Sequence, residues 1–197
     1  MLRTELTDLH FITPIDNLAS ILAHGILSHN QMVQRKHVSV AMQAVQDRRA
    51  VKVVPGARRL HDYANLYICA RNPMMFLRRG QHESLCVLSI SPAVLDVPGT
   101  VITDQNAASD YVRFAASPDG LVHVDHALTF ARNWTHPDDQ IAEWRHKAAK
   151  CAEVLVPDSV QPDYIRSVYV SGDVGRQRAV GVQQSKPVQI YADIFFL

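Results

Sequence analysis

Short apolar runs broken by turn residues constrain this chain more than any other feature. Leu85-Cys86-Val87-Leu88-Ser89-Ile90, Glu153-Val154-Leu155-Val156 and the stretches 66–70, 165–171 and 188–196 are too short for core helices. They are rich in β-branched and aromatic residues, as buried strands are. Residues 9–13 read as a further strand, 51–56 as extended chain entering a turn at Pro55-Gly56, and 99–102 as the start of another. Helical spacing is confined to a few places. Thr13-Pro14-Ile15-Asp16 reads as a cap and first turn, followed by an apolar face of Leu18, Ile21 and Leu22 and a terminator at Gly25. A second helix is predicted over 38–50, ending near Asp47-Arg48-Arg49, and a short one over 73–77. A fourth runs over 138–149 with Ile141, Trp144 and Ala148 at helical spacing, and 172–186 reads as loop. This order predicts an α+β fold, an antiparallel or mixed sheet with packed helices, as a single domain over residues 1–197.

Composition matters mainly through what it excludes. No apolar run approaches the roughly 20 residues that span a bilayer, and Met1-Leu2-Arg3-Thr4-Glu5 holds no signal core. Cys69, Cys86 and Cys151 are far apart and odd in number, which suits buried thiols in a reducing cytoplasm better than a disulfide framework. Net charge is +1 but uneven: residues 31–82 carry ten Lys/Arg against Asp47 and Asp62, leaving −7 on the rest. A local basic field of this kind fits a polyanion-binding face; it equally fits a solvated surface with acidic partners elsewhere in the fold.

Several chemistries lack their signatures. There is no G-x-G-x-x-G, no Walker loop and no G-x-S-x-G. The ten histidines come without H-E-x-x-H or C-x-x-C, and His123 and His126 merely flank Asp125, so no metal site is expected.

Six segments remain, in a definite order. They are His10-Phe11-Ile12-Thr13 with Asn17-Leu18; Asp47-Arg48-Arg49; Leu60-His61-Asp62-Tyr63-Ala64-Asn65-Leu66-Tyr67; Arg71-Asn72-Pro73-Met74; Thr103-Asp104-Gln105-Asn106-Ala107; and Ala152-Glu153-Val154-Leu155-Val156. From about residue 9 to the C-terminus, their order and spacing resemble the DarT family of DNA ADP-ribosyltransferase toxins. The resemblance implies an ADP-ribosyltransferase-like split antiparallel or mixed sheet around a cleft for NAD+ as co-substrate. It implies transfer of ADP-ribose to a base of single-stranded DNA, thymidine in the best-known branch. It also implies a DarG-like macrodomain antitoxin that removes the modification. A cytoplasmic monomer with no membrane partner is expected. The chain departs from the family pattern at Gln105, where glycine is common, and around residues 67–71, which are less aromatic than usual.

Each residue has an ordinary reading beside the one the resemblance implies. Glu153 alone reads as a surface residue at a strand edge; the resemblance makes it the catalytic carboxylate that grips the ribose and stabilises its developing positive charge. His10 reads as a core histidine, Thr13 as a helix cap and Tyr67 as a core strand residue; the resemblance places all three, with Asn17, against NAD+. An arginine of the Asp47-Arg48-Arg49 segment would contact the NAD+ phosphates and stabilise the thymine anion formed when N3 loses its proton. Arg48 is assigned that catalytic and NAD+-binding role, with Arg49 in reserve and otherwise on DNA. Arg71, Lys147 and Lys150 are the remaining candidates for the DNA backbone.

Three other readings compete. The same scaffold can modify guanine or RNA. A related fold can act as an NAD+-using RNA phosphotransferase that leans on arginines and dispenses with Glu153. A non-catalytic nucleic-acid-binding module would need only the basic face.

Overall fold

The computed structural model describes residues 1–33 and 42–197. The predicted helical positions 38–41 lie outside the described residues. Among the described residues ten strands form: β1 (Leu9–Pro14), β2 (Ile26–Leu27), β3 (Tyr63–Tyr67), β4 (Leu85–Ile90), β5 (Val101–Thr103), β6 (Phe114–Ala116), β7 (Glu153–Pro157), β8 (Ser159–Val160), β9 (Ile165–Val170) and β10 (Val188–Ile190). Eight of them make one sheet in the order β10-β9-β4-β1-β3-β7-β5-β6, and β2 pairs with β8. All neighbours in the large sheet are antiparallel except β10 and β9, so the sheet is mixed. The α+β expectation holds.

The helices are α1 (Leu18–His24), α2 (His29–Met32), α3 (Gln43–Val51), α4 (Pro73–Arg78), α5 (His126–Phe130), α6 (Gln140–Ala149) and α7 (Asp173–Val182). α1 ends at Gly25, where φ is +84° and an added Cβ would lie 2.3 Å from the Val160 carbonyl oxygen, so backbone freedom and close approach both require glycine. Thr13 does not cap this helix. It stays in β1 opposite Cys86, and the chain turns through a 3-10 segment, Ile15–Asn17, before α1 begins.

Strand alternation divides the core. Leu9, Leu66, Leu88, Val154 and Val168 face the main apolar cluster on one side of the sheet. The other side carries two smaller clusters, one around Ile12, Met75, Val87 and Phe195, the other around Leu60, Tyr63, Ala107 and Leu155. The interval between those two clusters is where the polar residues collect.

Two further sequence expectations fail for physical reasons. Residues 173–182, read as loop, form α7; Gly175 lets the helix lie on β9, since a Cβ there would meet Val170 Cβ at 3.2 Å. The final strand stops at Ile190, and a 3-10 turn over Ala192–Phe195 carries Phe195 into the core. α6 forms as predicted, capped by Asp139, which accepts from the Ala142 N–H at 2.8 Å. Its Ile141 and Trp144 face solvent, however, with Trp144 62% exposed, while His146 is buried. No helix among the described residues is long and apolar enough to cross a membrane.

Candidate active site

Register places a row of side chains across the sheet. His10 pairs with Tyr67, Tyr67 with Glu153, and Glu153 with Thr103, so the four share one face of adjacent strands β1, β3, β7 and β5. Glu153 is 0% exposed. The expected strand-edge surface glutamate is therefore a fully buried carboxylate. Its backbone is fixed by Thr103, whose Oγ1 accepts from the Glu153 N–H at 3.2 Å and donates to the Gln105 carbonyl at 2.7 Å.

A buried carboxylate needs a counter-charge. Arg49 supplies it, donating from Nη1 to Oε2 at 3.0 Å and to Oε1 at 3.3 Å. The Ala107 N–H adds a third contact, donating to Oε1 at 3.4 Å. Arg49 is the one buried residue of α3, so this helix docks on the sheet through an ion pair instead of an apolar stripe. The chain after α3 is tied down twice: Lys52 Nζ donates to the Ser109 carbonyl, and the Leu60 N–H to the Lys52 carbonyl at 3.0 Å.

β1 and β3 pair only at His10–Tyr67 and then splay apart, which is the split in the sheet. A cavity of about 550 Å³ fills the wedge. Thr13 and Asn17 form one wall, Tyr63, Asn65 and Tyr67 another, and Arg49, Asn106 and Cys151 also reach it. Asn17 Nδ2 donates to Thr13 Oγ1 at 3.1 Å, linking two of the predicted cofactor-binding residues. The stacked rings of His29 and His61, 4.0 Å apart, stand on the same cavity. Burial, with Glu153 next to it, pushes the Tyr67 phenol up; burial pushes the Cys151 thiol up to about 12. Both remain protonated at neutral pH and act here as neutral walls.

His10 is not on the cavity wall. It stands behind Tyr67, where Nδ1 lies 3.3 Å from the Ile68 carbonyl, and burial holds its pKa below the ordinary 6.5. A neutral ring facing a carbonyl through Nδ1 carries its proton there. His10 thus props the end of β3 that carries Tyr67. The sign of its pH effect follows. The unfolded chain binds this proton more readily than the folded one, so the stability due to burying neutral His10 is complete above pH 6.5 and is lost as pH falls below it. Thermal melts from pH 7.5 to 5 are expected to show a falling Tm, and a shallower fall in a His10→Gln variant.

Three further sequence assignments change. Arg48 lies on the exposed side of α3, with Nε 3.4 Å from the Ala44 carbonyl; successive helical residues diverge by about 100°, and the neighbour took the inward place. Arg49 is 5% exposed and engaged with Glu153, so it does not serve the DNA backbone. Lys150 is fully buried, donating to the carbonyls of Thr129 (2.9 Å) and Ala131 (2.7 Å), with its ammonium disfavoured by burial. It clamps the segment after α5 and does not touch solvent. Lys150→Met keeps the volume but strands two buried carbonyls; a loss of about 2–3 kcal/mol is expected in denaturant melts. Arg71 is partly buried over the Phe196 ring, and Lys147 pairs with Glu143 on α6 at 2.6 Å. The described residues contain no cluster of potential metal ligands.

The residues missed in the sequence are Thr103, as the brace of Glu153, and the His29–His61 pair. Thr103 had a signal, since it ends a short apolar run; the histidine stack had none, since its members lie on separate elements.

A family model described as "ssDNA thymidine ADP-ribosyltransferase, DarT" matches residues 10–196. The chain belongs to the DarT family. This DarT-family chain is 34% identical over 166 residues to a DNA ADP-ribosyl transferase of Thermus sp. (strain 2.9), a match covering 77% of the chain and 75% of that protein. It is 30% identical over 172 residues to a DNA ADP-ribosyl transferase–DNA ADP-ribosyl glycohydrolase fusion protein of Thermosipho africanus. That match covers 83% of this chain but only 42% of the fusion. Among solved structures, Thermus sp. 2.9 DarT in complex with ADP-ribosylated ssDNA superposes with a TM-score of 0.85 at 26% identity, covering 97% of each chain. The same protein in complex with NAD+ gives 0.78 at 25% identity, covering 97% of this chain and 98% of that one.

Proposed function

We propose that this chain transfers ADP-ribose from NAD+ to the thymine base of single-stranded DNA. The observation that carries the reading is the buried Arg49–Glu153 pair, whose Arg49 lines the cleft opened by the split between β1 and β3. Glu153 is the catalytic carboxylate. As nicotinamide departs with the electrons of the C–N bond, positive charge builds on the ribose, and a fixed, desolvated carboxylate stabilises it more than water would. Ribose hydroxyls reach Glu153 by sharing the oxygens that Arg49 holds. Thr13 and Asn17 offer a hydroxyl and an amide to the same sugar, and Tyr67 a neutral ring for the nicotinamide.

Arg49 takes the role first assigned to Arg48. Thymine N3 gives its proton to solvent water and forms the bond to ribose C1′ as the bond to nicotinamide breaks, and the guanidinium beside the cavity stabilises the anion. The base must be unstacked to reach this depth, which favours a single strand. A role for Glu153 and Arg49 together favours transfer over a binding module, for which a buried ion pair beneath a cleft has no use. The fused glycohydrolase of the Thermosipho relative supports a DarG-like macrodomain antitoxin as partner, and with it a role as a toxin. We expect a cytoplasmic monomer.

The test is nicotinamide release followed by chromatography, with NAD+ alone, with single-stranded DNA and with RNA of matching sequence. Release that requires DNA supports the proposal. Release that is equal in all three, or that requires RNA, overturns it.

A further inference from the structure

The residues that would hold the rest of the DNA strand, beyond the target base, are not settled by the cleft. Helix α4 points to them. Its Pro73, Met74 and Leu77 line the cavity, and Leu77 is exposed at the mouth. Its next residue back, Phe76, faces the other way and is 37% exposed. Phe76 meets the rings of Trp134 and Phe196 edge-on, at centroid separations of 5.7 and 5.1 Å, while Trp134 and Phe196 are 5.7 Å apart. Arginines cover this cluster. Arg79 lies 4.0 Å above Phe76 and Arg71 3.9 Å above Phe196. Arg132, 76% exposed at its side chain, stands beside them on Asp193, the carboxylate that also pairs with Arg71.

The segment that brings Trp134 and Arg132 here is the one clamped by Lys150, whose ammonium donates to the carbonyls of Thr129 and Ala131 and lies 6.0 Å from the Trp134 ring. Burying a lysine without a carboxylate is costly, and what it secures is the placement of this segment against α4.

We propose that this arginine-and-aromatic face, continuous with the cleft mouth across α4, binds the nucleotides flanking the target base of a single DNA strand. Interleaved guanidinium groups and ring faces suit a single strand, because the cations take the phosphates and the exposed ring takes a base without regard to sequence. A duplex offers no free base to Phe76. The proposal rests on the DNA-modifying reading above and extends it from the base to the strand.

The experiment is equilibrium binding of a fluorescein-labelled single-stranded 15-mer without NAD+, across a salt series. It compares the wild type with Phe76→Ala, Arg132→Ala and, as a control on a remote surface, Arg3→Ala. Transfer to a trinucleotide is measured in parallel. Phe76→Ala is expected to weaken 15-mer binding by about tenfold. Arg132→Ala is expected to lower the slope of log affinity against log salt by about 0.7, the share of one phosphate contact. Arg3→Ala should match the wild type in both assays, and trinucleotide transfer should fall in Phe76→Ala and Arg132→Ala in step with binding. Unaltered 15-mer affinity and salt slope in both face variants overturns the proposal. Arg132 is exposed enough that its replacement leaves the fold intact, so a misfolded Phe76 variant does not decide the matter. Absence of trinucleotide transfer by the wild type counts against the transferase reading alone, because the binding series still decides the face.

Discussion

Arg49→Ala should unfold more easily than any other single arginine variant of this chain and should lose transfer. The guanidinium is the partner that makes a fully buried Glu153 tolerable, with two contacts at 3.0 and 3.3 Å. Removing one member of such a pair leaves an uncompensated charge in the interior, at a cost of about 3–5 kcal/mol. For a chain of this size that is a fall in Tm on the order of 10 °C. Arg48→Ala, one residue away on the exposed side of the same helix, should change stability by less than about 0.5 kcal/mol. The double variant Arg49→Ala/Glu153→Gln should recover much of the lost stability, because the stranded charge is gone, but none of the activity. Calorimetric melts of the four proteins check this directly. If Arg48→Ala proves the more damaging of the two, the ion pair is not what seats α3, and the assignment of Arg49 fails with it.

Glu153→Gln should separate NAD+ binding from catalysis, in a protein that is itself less stable because Arg49 loses its carboxylate. Glutamine keeps the shape and can accept from the Ala107 N–H, but it does not offset positive charge on the ribose. Transfer is expected to fall by about 10²–10³-fold, the usual effect of losing one preorganised charge-stabilising group. Binding of NAD+ should fall much less, since Thr13, Asn17 and Tyr67 are untouched. Single-turnover rates at saturating NAD+, beside calorimetric NAD+ affinity, distinguish the two. Equal losses in rate and affinity would make Glu153 a binding residue only.

Much of this architecture is legible from local pattern. β4 and β7 are apolar runs with clear ends, and Gly25 and Pro73 mark helix boundaries by backbone chemistry alone. The row His10, Tyr67, Glu153 and Thr103 was legible only in part, because its members are joined by strand register, which the sequence of any one strand does not encode. The choice between Arg48 and Arg49 is a question of helix phase, and α3 has too little apolar periodicity to set it; a buried arginine inverts the usual pattern. Lys150 misled for a related reason. Lysines are surface residues by default, and only the bonds to two carbonyls of a distant segment explain why this one is inside. Ile141 and Trp144 show the converse: their apolar spacing marks the helix, yet both face solvent.

The most direct test of the central claim is a mass measurement on two single-stranded oligonucleotides, identical except that one carries a single thymine where the other carries cytosine. Each is incubated with NAD+ and either the wild type or Glu153→Gln. The account predicts a gain of one ADP-ribose on the thymine strand alone, with fragmentation placing it on the base and the variant giving almost none. An adduct on both strands, or none on either while NAD+ stays intact, would contradict it.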